Sequence, residues 1–117
     1  MAKPQNCITV NEAKTLYQNW QNSRAPLLVR GVDPEVSDVV FTLAEMEEFI
    51  DYVKNGSADA DIDNPGIRVY FAATGEDSKS TATVFLAPTT GTNSNSPNNY
   101  NLEPLNRGTN GWPPNVY

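Results

Sequence analysis

Two stretches of the chain space their apolar residues as a helix does, and two others space them as a strand does. In the first, Val10, Ala13, Leu16, Tyr17 and Trp20 share one helical face, with Asn11, Lys14, Gln18 and Gln21 opposite. Thr9 stands three residues before Glu12, the spacing of a capping box, and Ile8 is placed as a staple toward Ala13. Pro26 disfavours helical geometry in Ala25, so this helix is predicted to end near Ser23. The second helix carries Leu43, Met46, Phe49, Ile50 and Val53 on its apolar face. Thr42 and Glu45 make its capping box, Phe41 and Met46 its staple, and Asn55-Gly56 its predicted stop. ITVNEAKTLYQNW and FTLAEMEEFIDYV therefore look alike, as two well-capped amphipathic helices do. Two copies are too few to bury the faces of a solenoid.

The clearest strand is Ile67 to Ala73, where Ile67, Val69 and Phe71 point one way and Arg68 and Tyr70 the other. Thr81 to Ala87 follows, and its continuous centre Val84-Phe85-Leu86 predicts burial on both faces. The polar link TGEDSKS between them predicts an antiparallel hairpin, and Pro88 ends the second strand. Val39-Val40-Phe41 reads as a brief buried strand before the second helix. The passage from Val39 to Ala73 is long enough for a right-handed parallel crossover. Leu27-Leu28-Val29, closed by Gly31 and Asp33-Pro34, is a short apolar run of no assignable type.

The predicted fold is α+β: a small mixed sheet with two amphipathic helices on one face and an extended C-terminal tail. Its predicted core is Leu16, Trp20, Val40, Leu43, Met46, Phe49, Ile50, Val53, Ile67, Val69, Phe71, Val84 and Leu86. Residues 1–89 read as a single domain and 90–117 as an Asn/Pro-rich segment without periodicity. That segment still holds Leu102, Leu105, Trp112, Val116 and Tyr117, more large apolar residues than a disordered tail spends. At least part of it is expected to pack back on the domain, with Pro113-Pro114 stiffening the approach.

Composition narrows the chemistry. The 117 residues include one cysteine, Cys7, and no histidine. An intrachain disulfide, Ser-His or Cys-His catalysis and His-ligated metals are thereby excluded. Residues 1–20 hold no apolar run resembling a signal peptide, and no segment approaches a membrane span, so the expected location is cytoplasmic with no membrane partner. The net charge of −6 is unevenly spread. Ten acidic residues against Lys54 alone lie between Asp33 and Asp63, a local balance of −9. An acidic chain argues against nonspecific nucleic-acid binding, while its polarised surface suits a basic partner.

Asp59, Asp61 and Asp63 in GSADADIDNPGIRVYF have the 1, 3, 5 spacing of a calcium loop. Such a loop needs glycine at its sixth position and a bidentate acid at its twelfth, where this chain has Asn64 and Tyr70. The stretch reads instead as a solvated acidic linker, and no metal or cofactor is expected. Glu45, Glu47, Glu48 and Asp51 form an acidic face on the second helix. Exposed there, they do not develop the separated pKa values of an acid-base pair; they form a solvated face or a docking surface. Arg68 and Tyr70 project together from the central strand and suit a carboxylate or phosphate, the returning tail, or a second copy. Trp112-Pro113-Pro114 resembles material recognised by aromatic-lined grooves, though intramolecular packing also accounts for it.

Phe41-Thr42-Leu43 with Glu45, then Gly66-Ile67-Arg68-Val69-Tyr70-Phe71, then Thr83-Val84-Phe85-Leu86-Ala87-Pro88-Thr89 resemble a group of small uncharacterised bacterial proteins of the Bacteroidetes type. The resemblance covers residues 39–89. It implies a bacterial cytoplasmic domain and, since that group has no assigned activity, transfers no functional residue.

Three classes of function stay open. One is a non-catalytic interaction or regulatory module using the acidic residues Glu45, Glu47, Glu48 and Asp51, or pairing as a homodimer through its sheet. Another is a small-ligand binder built on Arg68, Tyr70 and Trp112. The third is an enzyme restricted to carboxylate, tyrosine or lysine chemistry, for which no catalytic residue stands out.

Overall fold

The computed structural model describes residues 2–24, 37–76, 81–106 and 108–111. The Leu27–Val29 run and Trp112 lie outside them. Two compact units divide the chain, one of them Val36–Gly111 and the other containing the described residues 2–24.

In that N-terminal part, helix α1 spans Val10–Ser23. The capping box forms in full: Glu12 N–H donates to Thr9 Oγ1 at 3.0 Å and Thr9 N–H to Glu12 Oε1 at 3.2 Å. The helix closes on Arg24 N–H, which donates to Trp20 O. None of its residues is buried. Leu16 is exposed and Trp20 half-exposed, so neither belongs to a core, contrary to the expectation from their spacing.

The larger unit runs β1 (Asp38–Val40), α2 (Leu43–Asp59), β2 (Gly66–Ala73), β3 (Ala82–Thr89) and β4 (Thr109–Gly111). The class is α+β, and both strand pairings are antiparallel: β2 with β3 and β1 with β4. The parallel crossover expected between Val39 and Ala73 is not formed. Strand β1 instead takes its partner from the end of the unit, with Val39 opposite Asn110. That partner lies in a stretch whose composition reads as loop, so no local signal announced it.

Helix α2 is capped by Thr42, whose Oγ1 accepts from Glu45 N–H at 3.0 Å. Only half of the expected box is present, because the Glu45 carboxylate takes the Thr42 hydroxyl at 2.9 Å rather than the backbone N–H. The helix runs through Asn55-Gly56 to Asp59. It stops in a Schellman arrangement: Ile62 N–H donates to Ser57 O, Asp61 N–H donates to Ala58 O, and Asp61 adopts φ 57°. Aspartate tolerates this left-handed conformation better than most side chains. Asp61, the middle acid of the 1, 3, 5 series, thus has a structural use.

The buried apolar cluster is small. Phe49 and Val53 of α2 pack on Leu86 of β3, with Phe41, Met46 and Leu105 against them. The β2–β3 hairpin sets Val69 opposite Leu86 and Phe71 opposite Val84, so these side chains share one face. On that face Leu86 of β3 is buried under α2. Ile67, Val69 and Phe71 are exposed, against the expectation that they enter the core, as are Val40, Leu43 and Ile50. The opposite face of β2, with Arg68, Tyr70 and Ala72, is the half-buried one.

Residues after β3 fold along it. Leu86 and Leu105 exchange backbone hydrogen bonds at 2.8 and 2.9 Å, and Asn99 N–H donates to Pro88 O at 2.9 Å. Asn106 Nδ2 reaches Val84 O at 2.7 Å. The outer edge of β3 is therefore occupied, while β2 lies at the other edge of the hairpin.

Candidate functional site

Alternation along β2 brings Arg68 and Tyr70 to one face, and a single asparagine joins them there. Arg68 Nη1 donates to Asn98 Oδ1 at 2.6 Å. Asn98 Nδ2 in turn donates to the Tyr70 hydroxyl at 2.8 Å. Arg68 Nη2 also donates to the carbonyls of Ser94 and Ser96, at 2.9 and 3.0 Å. A guanidinium engaged three ways by one loop is a staple: it holds residues 94–98 against the sheet.

The Tyr70 ring stacks on Phe85 with centroids 4.8 Å apart. The Asn98 amide draws the phenol pKa below its ordinary value, burial opposes this, and the Arg68 charge adds to the lowering. Arg68 and Tyr70 nonetheless open onto different recesses. Arg68 lines an open one of about 440 Å³ with Gly66, Thr89 and Ser94. Tyr70 lines a smaller one of about 220 Å³ with Phe85, Pro88, Asn99, Tyr100 and Pro104. Trp112, grouped with them on sequence grounds, is outside the described residues.

Asn98 was not singled out from the sequence, because the Asn/Ser/Thr stretch around it reads as loop. A signal existed: a lone arginine on a half-buried strand face needs acceptors, and a nearby polar loop is their natural source.

The candidate acidic residues separate into three groups. Glu45 is half-buried and its carboxylate serves the α2 cap. Glu47, Glu48 and Asp51 are exposed on α2. Asp59, Asp61 and Asp63 are exposed at and after its C-terminus, and among the described residues no group of three acids or thiols is placed to hold a metal ion. Cys7 is exposed. No helix among the described residues is long and apolar enough to cross a membrane.

No family model, curated protein or solved structure matches the chain.

The least expected feature of the geometry is apolar. Phe71 is 92% exposed, Val69 53% and Ile67 41%, in one row along β2. They lie on the side of the strand away from the Arg68–Asn98–Tyr70 network.

Proposed function

We propose that this chain is a non-catalytic interaction module of a cytoplasmic protein. The observation that carries this reading is the row Ile67, Val69 and Phe71, three apolar side chains left to solvent on one strand. Contiguous apolar surface of this kind marks protein contact sites on soluble domains. The solvated carboxylates Glu47, Glu48 and Asp51 support a second contact, to a basic protein surface, which long-range attraction would guide. Arg68 and Tyr70, being joined through Asn98 and the 94–98 loop, serve the scaffold in this reading.

Small-ligand binding is the second reading; the recess of about 440 Å³ beside Arg68 has the volume for a ligand but is widely open, and the one beside Tyr70 is more enclosed. Its volume of about 220 Å³ lies below the roughly 300–1,000 Å³ of sites that enclose drug-sized ligands, so a fragment-sized guest is the most it suits.

The test is Phe71→Gln. If the row is a contact surface, the variant keeps the stability of dilute, dissociated wild type within about 0.5 kcal/mol and loses association, self or foreign, in sedimentation and capture assays. A loss of stability on the scale of a core residue would mean that the chain itself covers Phe71, and would remove the proposal.

A further inference from the structure

The open edge of β2 has a definite hydrogen-bonding phase. Thr74 N–H donates to Thr81 O at 2.9 Å, directly beyond the end of the hairpin ladder. Bonded pairs alternate in an antiparallel ladder, so Gly66, Arg68, Tyr70 and Ala72 bond to β3. Ile67, Val69, Phe71 and Ala73 then turn their N–H and C=O groups away from it. Leu86 agrees with this phase, since it bonds outward to Leu105 on the far side of β3. No described residue meets the outward groups of β2. The residues with the open backbone are thus the residues with the exposed apolar side chains.

Protein edges are ordinarily protected by lysines, bulges, prolines or shortness. Strand β2 has eight residues in unbroken register with β3 and no lysine or proline among them. Its one charge, Arg68, is held by the 94–98 loop on the other face. Among the described residues nothing closes this edge, which leaves it open to a strand.

Resting on the interaction-module reading, we infer that the occupant is a second copy of this chain, paired antiparallel β2 to β2 about a two-fold axis through Val69. In that register Val69 faces Val69 of the second copy, and Ile67 and Phe71 face each other twice. The large face of Phe71, on the order of 150 Å² or more, gains an aliphatic neighbour in each copy. On the opposite face Arg68 falls beside Tyr70 of the second copy, not beside its Arg68. A two-fold through Arg68 would set two guanidinium groups against each other, which like charges directly opposite disfavour. The result is a four-stranded sheet in the order β3, β2, β2, β3. Its outer strands are already flanked by the 98–105 segment, so the assembly closes at two copies.

Light scattering on the full chain should give twice the 12.8 kDa chain mass, falling to one copy on dilution. Val69→Lys places two ammonium groups across the axis; it should be monomeric, as should Phe71→Gln, and each should match the unfolding midpoint of wild type diluted to one copy while falling below that of concentrated wild type. Register is read by oxidation in a Cys7→Ser background. Val69→Cys should cross-link to itself about tenfold or more faster than Tyr100→Cys on the exposed surface, because pairing raises the local thiol concentration. Phe71→Cys alone should not, since its copy lies about 13 Å away along the strand, yet it should cross-link to Ile67→Cys when the two are mixed. A wild-type chain that stays at 12.8 kDa up to millimolar concentration overturns the pairing, as does self-cross-linking of Phe71→Cys in place of Val69→Cys. If that monomer still captures a foreign protein, and loses it with Phe71→Gln, the interaction module survives and only the second copy is rejected.

Discussion

Arg68 and Asn98 are thirty residues apart in sequence and 2.6 Å apart in space, and the asparagine also donates to the Tyr70 hydroxyl. One amide thus fixes both the loop and the phenol. Replacing Asn98 by Ala leaves the guanidinium one acceptor short, which costs about 1.5–3 kcal/mol for a hydrogen bond to a charged group. Urea unfolding of Asn98→Ala measures it; a midpoint equal to wild type would make the Arg68 staple dispensable.

The same amide governs a titration. Tyr70 ionises below the ordinary phenol value chiefly because Asn98 donates to its oxygen. A depressed folded-state pKa stabilises only above the unfolded value, and that contribution disappears as pH falls through the folded one. At neutral pH it therefore adds nothing; the effect is confined to the alkaline range. A spectrophotometric titration should show the Tyr70 phenol ionising below its ordinary range, and Asn98→Ala should return it there. An unmoved curve in that variant would detach the shift from Asn98.

Phe49 carries the core. It packs with Val53 and Leu86 in the buried apolar cluster of the described residues. Phe49→Ala should cost roughly 3–5 kcal/mol. Unfolding close to the wild-type midpoint would misplace α2 on the hairpin.

What could be read from the sequence followed how local its cause was. Both helix starts were legible, because Thr9 with Glu12 and Thr42 with Glu45 act within one turn. The hairpin was legible from alternation and its polar link. The buried face of β2 was not. Alternation says that Ile67, Val69 and Phe71 share a side, but which side is covered depends on α2 burying Leu86 of β3 while these three stay exposed, and on residues 94–98 seating over Arg68. The β1–β4 pairing was hidden for the same reason, since it joins positions about seventy residues apart. Gly56 misled because glycine after asparagine ordinarily ends a helix, whereas here its missing side chain serves packing. Of the candidate site, Arg68 and Tyr70 were visible by residue type; their bridge, Asn98, lay in a stretch without periodicity.

Ser57 offers an opposite kind of test. It is 1% exposed on α2, and its hydroxyl has no hydrogen-bond partner. A buried unsatisfied group costs about 1–3 kcal/mol, and alanine is the better helix former. Ser57→Ala should therefore raise stability by about 1 kcal/mol. A lower urea midpoint would show that the hydroxyl is satisfied.

Gly56 and Leu102 compete for one space. A Cβ on Gly56 would lie 2.5 Å from Leu102 Cδ2. In Leu102→Ala that obstruction is gone, and Gly56→Ala should gain the full helical preference of alanine, about 1 kcal/mol. In the wild-type background the gain should shrink or reverse, since Leu102 must shift. The four-variant cycle should give a coupling of about 1 kcal/mol. Additive effects would mean that Leu102 does not use the gap.

The acidic face of α2 bears on a partner. Glu47, Glu48 and Asp51 are exposed, and like charges at helical spacing repel by a few tenths of a kcal/mol per pair. Folding alone gives no reason to keep them together, which favours a docking use. Changing the three to Gln, Gln and Asn should leave stability unchanged or slightly higher. It should weaken capture of a basic protein surface several-fold, and the wild-type interaction should fade with salt, since exposed charges are screened within about 10 Å at 0.1 M. Self-pairing through β2 should survive the same substitutions, because Val69 and Phe71, not the carboxylates, form that contact. A triple variant that keeps every partner at full yield, at both low and high salt, would leave these carboxylates with no role beyond solvation.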